Sequence, residues 1–382
     1  MREALIIDAV RTPRAERGGT LRNVHPVDLL AGTLVALVER AGVDPERIED
    51  VIVGCVTQTG EQGSCIARSA VLAAGLAEET AGVTLNRFCG SGQQAVHFAA
   101  MGILSGQADL VIAGGVEHMT RVPMGADAGP PSPVLLERYP SLVTQGLAAE
   151  MIAERWNFSR GDLDAFAARS QVHAARAWKE GRFERSIVPV AATDDNGNRF
   201  LFDRDEHPRA NTTVEILANL QPSFKPDGVI HAGNSAGIVD GAASLVLASD
   251  ACARELGLRP RARILQTSVV GSDPILMLTG AVPASRKVLA KAKLRADQID
   301  LIEINETFAP VPLMTLQELR VDAARVNVNG GAIAMGHPLG ATGAILIGTL
   351  LDELERTGGR TGLVATSVGM GMGAATLIQR ID

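Results

Sequence analysis

Hydrophobic runs of four to six residues punctuate the chain, at Leu5–Val10, Val51–Val56, Leu110–Ala113, Ser244–Ala248, Ile299–Ile304 and Leu363–Ser367. Each is long enough for a buried strand and too short for a helix. Between them the apolar residues fall at helical spacing. The segment after Cys89 puts Val96, Ala99, Ala100 and Ile103 on one face, whereas the segment after Pro338 is apolar nearly all round, through Ala344, Ile345, Leu346, Ile347, Leu350 and Leu351. A helix that is apolar on every side must be covered on every side, so the second is predicted to lie between two layers. Strands alternating with helices define an α/β protein.

An internal repeat runs through this pattern. Residues 41–49, AGVDPERIE, match residues 292–300, AKLRADQID, at a constant offset of 251, which aligns Ala41 with Ala292, Ile48 with Ile299 and Glu49 with Asp300. Each copy leads into a hydrophobic run. Each half also carries a glycine-rich turn that opens a buried helix, Cys89-Gly-Ser-Gly in the first and Gly336-His-Pro-Leu-Gly in the second. Two similar halves, each contributing a turn, predict one active site at their junction. The residues between, near 120–240, differ: Pro130, Pro131 and Pro133 precede a charged stretch from Arg155 to Arg185 and a polar loop from Thr193 to Arg209. Leu163, Phe166, Ala167 and Ser170 are at helical spacing, so this insertion is expected to be folded and to cover the site.

The chain has 382 residues, 46% of them hydrophobic, with 40 glycines, enough for two or three domains around a large core. No apolar run approaches the roughly 20 residues a membrane-spanning helix needs, and Met1 leads into Ala4–Val10 without a signal-peptide pattern, so a cytoplasmic protein is expected. The net charge of −7 contains no long basic run, which argues against nucleic acid as a partner. Cys55, Cys65, Cys89 and Cys252 show neither CxxC spacing nor a Cys/His cluster, so they read as free thiols and no metal site is expected.

Four places carry candidate chemistry. Cys89 lies in LNRFCGSGQQAV, at a turn from strand to helix. A thiol at a helix N-terminus meets unpaired N–H groups and the positive end of the helix dipole, which favour the thiolate; a small residue there equally serves tight packing. His337 lies in GGAIAMGHPLGATG, where glycines permit close backbone approach and Pro338 starts a helix. Its imidazole suits proton transfer from a thiol or donation to an oxyanion, or a structural hydrogen bond. Asn305, at the end of the run Ile299–Ile304, suits holding a water or polarising a carbonyl, or capping a turn. The segment TSVGMGMGAA, Thr366 to Ala375, either aims N–H groups at a developing negative charge or forms a glycine hairpin.

Taken together these segments resemble the thiolase family over essentially the whole chain. RTP at Arg11–Pro13, NRFCGSG, AGGVEHM at Ala113–Met119, AGNSAGIVDGAA at Ala232–Ala243, NETFA at Asn305–Ala309 and NVNGGAIAMGHPLGATG at Asn327–Gly343 occur in the family's order. The resemblance implies a five-layer αβαβα fold of two similar halves plus an inserted loop domain, assembled as a homodimer or homotetramer. In this chain it implies an N-terminal half at 1–119, completed by about 236–270, a loop domain at 120–235 and a C-terminal half at 271–382. It makes Cys89 the acyl-accepting nucleophile and His337 its base. Asn305 would hold a water that joins His337 in one oxyanion hole, and the N–H groups of Cys89 and Gly369 would form the second. Acyl-CoA and coenzyme A are the implied substrates, with no permanently bound cofactor.

Some positions depart from the family pattern. Ser367 stands where thiolases carry a second catalytic cysteine, the one that shuttles the α-proton of acetyl-CoA. A serine hydroxyl is a far weaker acid than a thiol of pKa about 8.5, so acylation of Cys89 is expected to survive while carbon–carbon bond making or breaking slows. Thr144-Gln145-Gly146 replaces the His-Met-Gly of acetoacetyl-CoA thiolases, which predicts a pocket for longer or bulkier chains. Met277-Leu-Thr-Gly-Ala281 and Gln266 also differ, at positions that implied CoA contacts. The expected function is acyl transfer between Cys89 and CoA with cleavage or formation of a 3-ketoacyl-CoA. The alternatives are an acyltransferase or thioesterase without Claisen chemistry, and a silent acyl-CoA-binding protein.

Overall fold

Each of the six hydrophobic runs contains a strand. In the computed structural model, which describes residues 2–194 and 196–381, the strands are β1 (Ala4–Arg11), β2 (Ala15–Glu16), β3 (Asp50–Gly54), β4 (Ala81–Leu85), β5 (Leu110–Glu117), β6 (Val190–Thr193), β7 (Arg199–Phe202), β8 (Val239–Ser249), β9 (Ala262–Gly271), β10 (Leu301–Ile304), β11 (Thr361–Val368) and β12 (Met372–Arg380). The main sheet runs β10-β11-β12-β9-β1-β8-β5-β3-β4, with β2 beside β8. Only two residue pairs, Leu5 with Arg263 and Ile6 with Ala262, join its two parts at β1 and β9.

Those parts repeat one another. In the first, β4, β3 and β5 are parallel and β8 and β1 follow antiparallel. In the second, β10 and β11 are parallel and β12 and β9 follow antiparallel. A lone parallel bridge from Ile302 to Val326 flanks β10 where β4 flanks β3. The 251-residue offset holds element by element: helices end at Ala41 and Ala292, short 3-10 turns follow at Pro45–Arg47 and Ala296–Gln298, and strands begin at Asp50 and Leu301.

Burial places five layers in order. The helices Pro26–Ala41 and Ile66–Ala73 cover the outer face of the first half, with Leu30, Leu34 and Val71 against Leu5, Val51 and Ile112. The helices Ser91–Ser105 and Leu339–Thr357 lie between the halves, packing Ala99, Ile103, Ile347 and Leu351 against Ile6, Val111 and Leu245 on one side and Val364 and Ile378 on the other. This is the covering that the all-round apolar helix requires. Ala281–Ala292 and Pro310–Leu319 close the other side. The insertion is folded, chiefly as helices Gln145–Arg155 and Arg160–Lys179, and the latter starts in a capping box between Ser159 and Asp162. Its residues Ala148, Ile152, Leu163 and Phe166 share a hydrophobic cluster with Val288 and Met314, so it is packed onto the second half. The stretch read as a polar loop at Thr193–Arg209 includes β7, paired with β6.

Candidate active site

Cys89 stands at an elbow between β4 and the helix Ser91–Ser105. Phe88 has φ of 44°, a left-handed conformation that costs a bulky residue energy. Local side chains hold it: the Phe88 N–H donates to Asn86 Oδ1 (2.7 Å), the Ser91 hydroxyl donates to the Phe88 carbonyl (2.6 Å), and the Arg87 N–H donates to Ser91 Oγ (2.8 Å). The turn leaves Cys89 1% exposed. Its Sγ accepts hydrogen bonds from its own N–H and from the N–H of Gly369. The expectation of a standing thiolate is corrected here. Burial pushes the thiol up to about 12, outweighing both N–H groups, because desolvation of a charge in a closed site exceeds what two dipoles return.

His337 is 4% exposed, and its surroundings fix its tautomer. The Asn305 amide nitrogen can only donate to Nε2, and the Thr342 hydroxyl, donating to the Pro338 carbonyl (3.0 Å), can accept from Nδ1 at 2.6 Å. The imidazole therefore carries its proton on Nδ1. Nε2 presents a lone pair, to which Asn305 Nδ2 donates at 3.3 Å. Burial, with a smaller push from the Arg14 charge, brings His337 protonation down to about 3. Around neutrality thiol and imidazole are both uncharged, and the imidazole is free to take a proton. Asn305 Nδ2 also donates to Thr307 Oγ1 (3.0 Å), while Asn305 Oδ1 is buried without a hydrogen-bond partner among the described residues.

Missing side chains bring the two turns together. A Cβ at Gly92 would lie 2.6 Å from the Gly340 carbonyl oxygen, and one at Gly343 would lie 2.2 Å from the Gln93 nitrogen. The starts of the two middle helices thus touch backbone to backbone. Glu117 braces the contact: its carboxylate accepts from the N–H groups of Val56 (2.9 Å), Thr57 (3.1 Å) and Gly340 (2.9 Å) and from Gln62 Nε2 (3.1 Å). On the far side, β11 and β12 reverse at Gly369–Gly371. The segment from Thr366 is therefore a hairpin and also aims an N–H at Cys89. The two readings of it are one structure.

Ser367 is buried near the end of β11, and its Oγ accepts from the N–H of Ala281 (3.0 Å), the first residue of the helix Ala281–Ala292. Gly280 and Gly373 allow that approach, since a Cβ on Gly280 would lie 2.0 Å from the Met372 carbonyl oxygen and one on Gly373 2.0 Å from the Gly280 carbonyl oxygen. The position is thus built to stabilise negative charge on residue 367. An alcohol makes little use of it. Phe88, Gln145 Nε2 and Gly369 adjoin, and the Phe224 and Phe308 rings stack edge to face at 5.8 Å beside Gly146.

Residues 4–251 match the family model described as thiolase, N-terminal domain, and residues 258–380 match thiolase, C-terminal domain. The chain belongs to the thiolase family. A steroid 3-ketoacyl-CoA thiolase of Mycobacterium tuberculosis is 45% identical over 393 residues, covering 100% of this chain and 95% of that protein. A beta-ketoadipyl-CoA thiolase of Pseudomonas aeruginosa is 45% identical over 401 residues, covering 100% of both. The crystal structure of the Bacillus anthracis acetyl-CoA acetyltransferase superposes with a TM-score of 0.92 at 39% identity, covering 100% of this chain and 99% of that one. The fold is the thiolase fold, and the activity is acyl transfer of the thiolase type.

Around the thiolase site, several residues escaped the sequence reading. Thr342 orients the imidazole, Glu117 ties β5 to the His337 helix, and Arg14 adjoins the His337 turn. Thr342 lies within the glycine-rich motif, so its proximity was legible. The other two meet His337 only through the fold. No helix among the described residues is long and apolar enough to cross a membrane.

Proposed function

We propose that this thiolase cleaves 3-ketoacyl-CoA by way of an acyl group carried on Cys89, with coenzyme A as the acyl acceptor. The observation that carries the reading is a buried thiol under two converging N–H groups, across a glycine contact from an imidazole whose Nε2 is unprotonated and held by Asn305. As Sγ attacks the 3-keto carbon, its proton passes to His337 Nε2. The alkoxide that forms is met by the N–H groups of Cys89 and Gly369. Carbon–carbon cleavage leaves the acyl thioester on Cys89 and an acetyl-CoA enolate, whose oxygen would be met by protonated His337 and a water accepted at Asn305 Oδ1. The enolate carbon takes up a proton from Ser367 Oγ, which in turn recovers the one that Sγ gave to His337, so that acetyl-CoA forms and the imidazole is neutral again. Ser367 Oγ stands beside that step as the weak acid, which makes it the slow one. The CoA thiol then attacks the acyl group, passing its proton through His337 back to Sγ.

The aromatic wall of Phe88, Phe224 and Phe308 and the small Gly146 favour acyl groups bulkier than acetyl. The protein would act as a homodimer, because β4 ends the sheet with a free edge and Val83, Phe98 and Met101 beside it are 44%, 42% and 55% exposed. A panel of 3-ketoacyl-CoA esters with free CoA, followed by loss of enolate absorbance, tests the reaction. The reading fails if no ester is cleaved and Cys89 takes up no acyl group from any of them.

A further inference from the structure

Arg14 is a buried cation whose position has no evident purpose in packing. Its side chain is 4% exposed and passes between Gly241 and Pro338 to reach the turn that carries His337. There Nη1 donates to the Gly336 carbonyl (3.2 Å) and Nη2 contacts Met335 Sδ (3.1 Å). Its charge is poorly answered. Asp205, the nearest carboxylate, is already engaged by both Arg11 nitrogens at 2.7 and 3.0 Å, leaving Arg14 a 3.6 Å contact. Arg14 Nε has no hydrogen-bond partner among the described residues. Burial, reinforced by Glu306 and Glu353 and opposed by Arg14, pushes the Glu303 carboxyl well above its usual range. A guanidinium in such a place costs stability that an apolar side chain of similar length would not.

The cation falls on one particular peptide. Gly336 has φ of 83°, and a Cβ there would lie 2.2 Å from Val239, so only glycine fits. The peptide joining Gly336 to His337 is held at both ends: its N–H donates to the Gly237 carbonyl (2.9 Å) and its C=O accepts from Arg14. That plane sets where the imidazole points. We propose that Arg14 is a positioning residue for the acyl transfer, holding the Gly336–His337 peptide so that Nε2 faces the Cys89 thiol. The other charged groups around the imidazole do not substitute for it. Glu117 is committed to four N–H groups, Glu306 to Ser170, Asn327 and Ile333, and Asp240 to Thr120 and His118.

The proposal rests on His337 being the base, and the test separates the two. Wild type, Arg14→Met, Arg14→Lys and His337→Ala would each be mixed with acetyl-CoA at pH 6 and pH 8, with Cys89 acylation followed by intact mass and melting temperature measured in parallel. Arg14→Met is expected to acylate at least tenfold more slowly, with KM for acetyl-CoA within twofold and melting temperature no lower. The deficit should be similar at pH 6 and pH 8, because burial alone keeps the imidazole neutral at both, and Arg14→Lys, which keeps a charged donor, should recover most of the rate. Wild-type acylation in Arg14→Met, while His337→Ala is slow, overturns the positioning role alone. A slow Arg14→Met, unrescued by lysine and accompanied by a lower melting temperature, overturns it in favour of a structural role. Wild-type acylation in His337→Ala overturns the underlying assignment.

Discussion

At the scale of single residues, the site is a neutral thiol–imidazole pair. With Cys89 pushed up to about 12 and His337 down to about 3, neither group is ionised near neutrality, and in the proposed reaction the thiolate forms only as the substrate is attacked. His337→Ala should slow Cys89 acylation by roughly 10²-fold or more, the usual loss with a general base, and wild-type rates in mass-detected acylation would contradict the role. Ser367→Cys should raise thiolysis far more than Cys89 acylation, because the Ala281 N–H at a helix start stabilises a thiolate where it does little for an alcohol. A gain within roughly 10²- to 10⁴-fold is the range of such groups; equal thiolysis by both proteins would show that residue 367 does not limit the chemistry. The positions of Cys89 and His337 at helix starts were legible because glycine-rich motifs surround them, and that of Asn305 because it ends a hydrophobic run. The direction of the Cys89 shift was not, since a sequence shows the helix dipole and hides the depth of burial.

At the scale of elements, the middle layer joins stability to catalysis. A Cβ at Gly340 would meet the Gly54 and Val116 carbonyl oxygens at 2.6 and 2.7 Å, so Gly340→Ala should cost about 1–3 kcal/mol and slow acylation by parting the helix starts. Thermal melts and acylation rates read both; an unchanged pair would mean that the contact is slack. His97, buried in the same layer with Nε2 2.7 Å from Thr376 Oγ1, is likewise brought down to about 3 by burial, aided by Arg87. The unfolded chain binds a proton at each such histidine below about pH 6.5 and the folded chain does not, so stability is whole above that pH and declines as pH falls. Each site costs about 1.4 kcal/mol per pH unit between roughly 6.5 and 3. His97→Gln should flatten the fall in melting temperature between pH 7 and 5, and an unchanged slope would mean that His97 does not titrate this way. The six hydrophobic runs exposed six strands, but β2, β4, β6, β7, β9 and β12 escaped. β4 is a short edge strand with little to bury, β9 mixes arginine, glutamine and threonine among its apolar residues, and β12 begins inside a glycine-rich stretch.

At the scale of the whole molecule, the 251-residue offset was the informative signal, because it reappears as equal helix ends, turns and strand starts in both halves. The insertion's packing onto the second half was hidden, since shared burial of Ile152 with Met314 leaves no local trace in sequence. The free edge at β4 predicts a light-scattering mass of twice the 40.0 kDa chain, reduced to the monomer by Val83→Lys with Phe98→Glu; a wild-type monomer would contradict the dimer. The central claim is that the acyl group passes through Cys89. Its most direct test mixes the protein with acetyl-CoA, without free CoA, and locates the added mass by peptide mapping. The account predicts one acetyl group on the peptide containing Cys89, removed by adding CoA and absent from Cys89→Ala. An acetyl group on that peptide in Cys89→Ala, or on another residue of the wild type in place of Cys89, would contradict it.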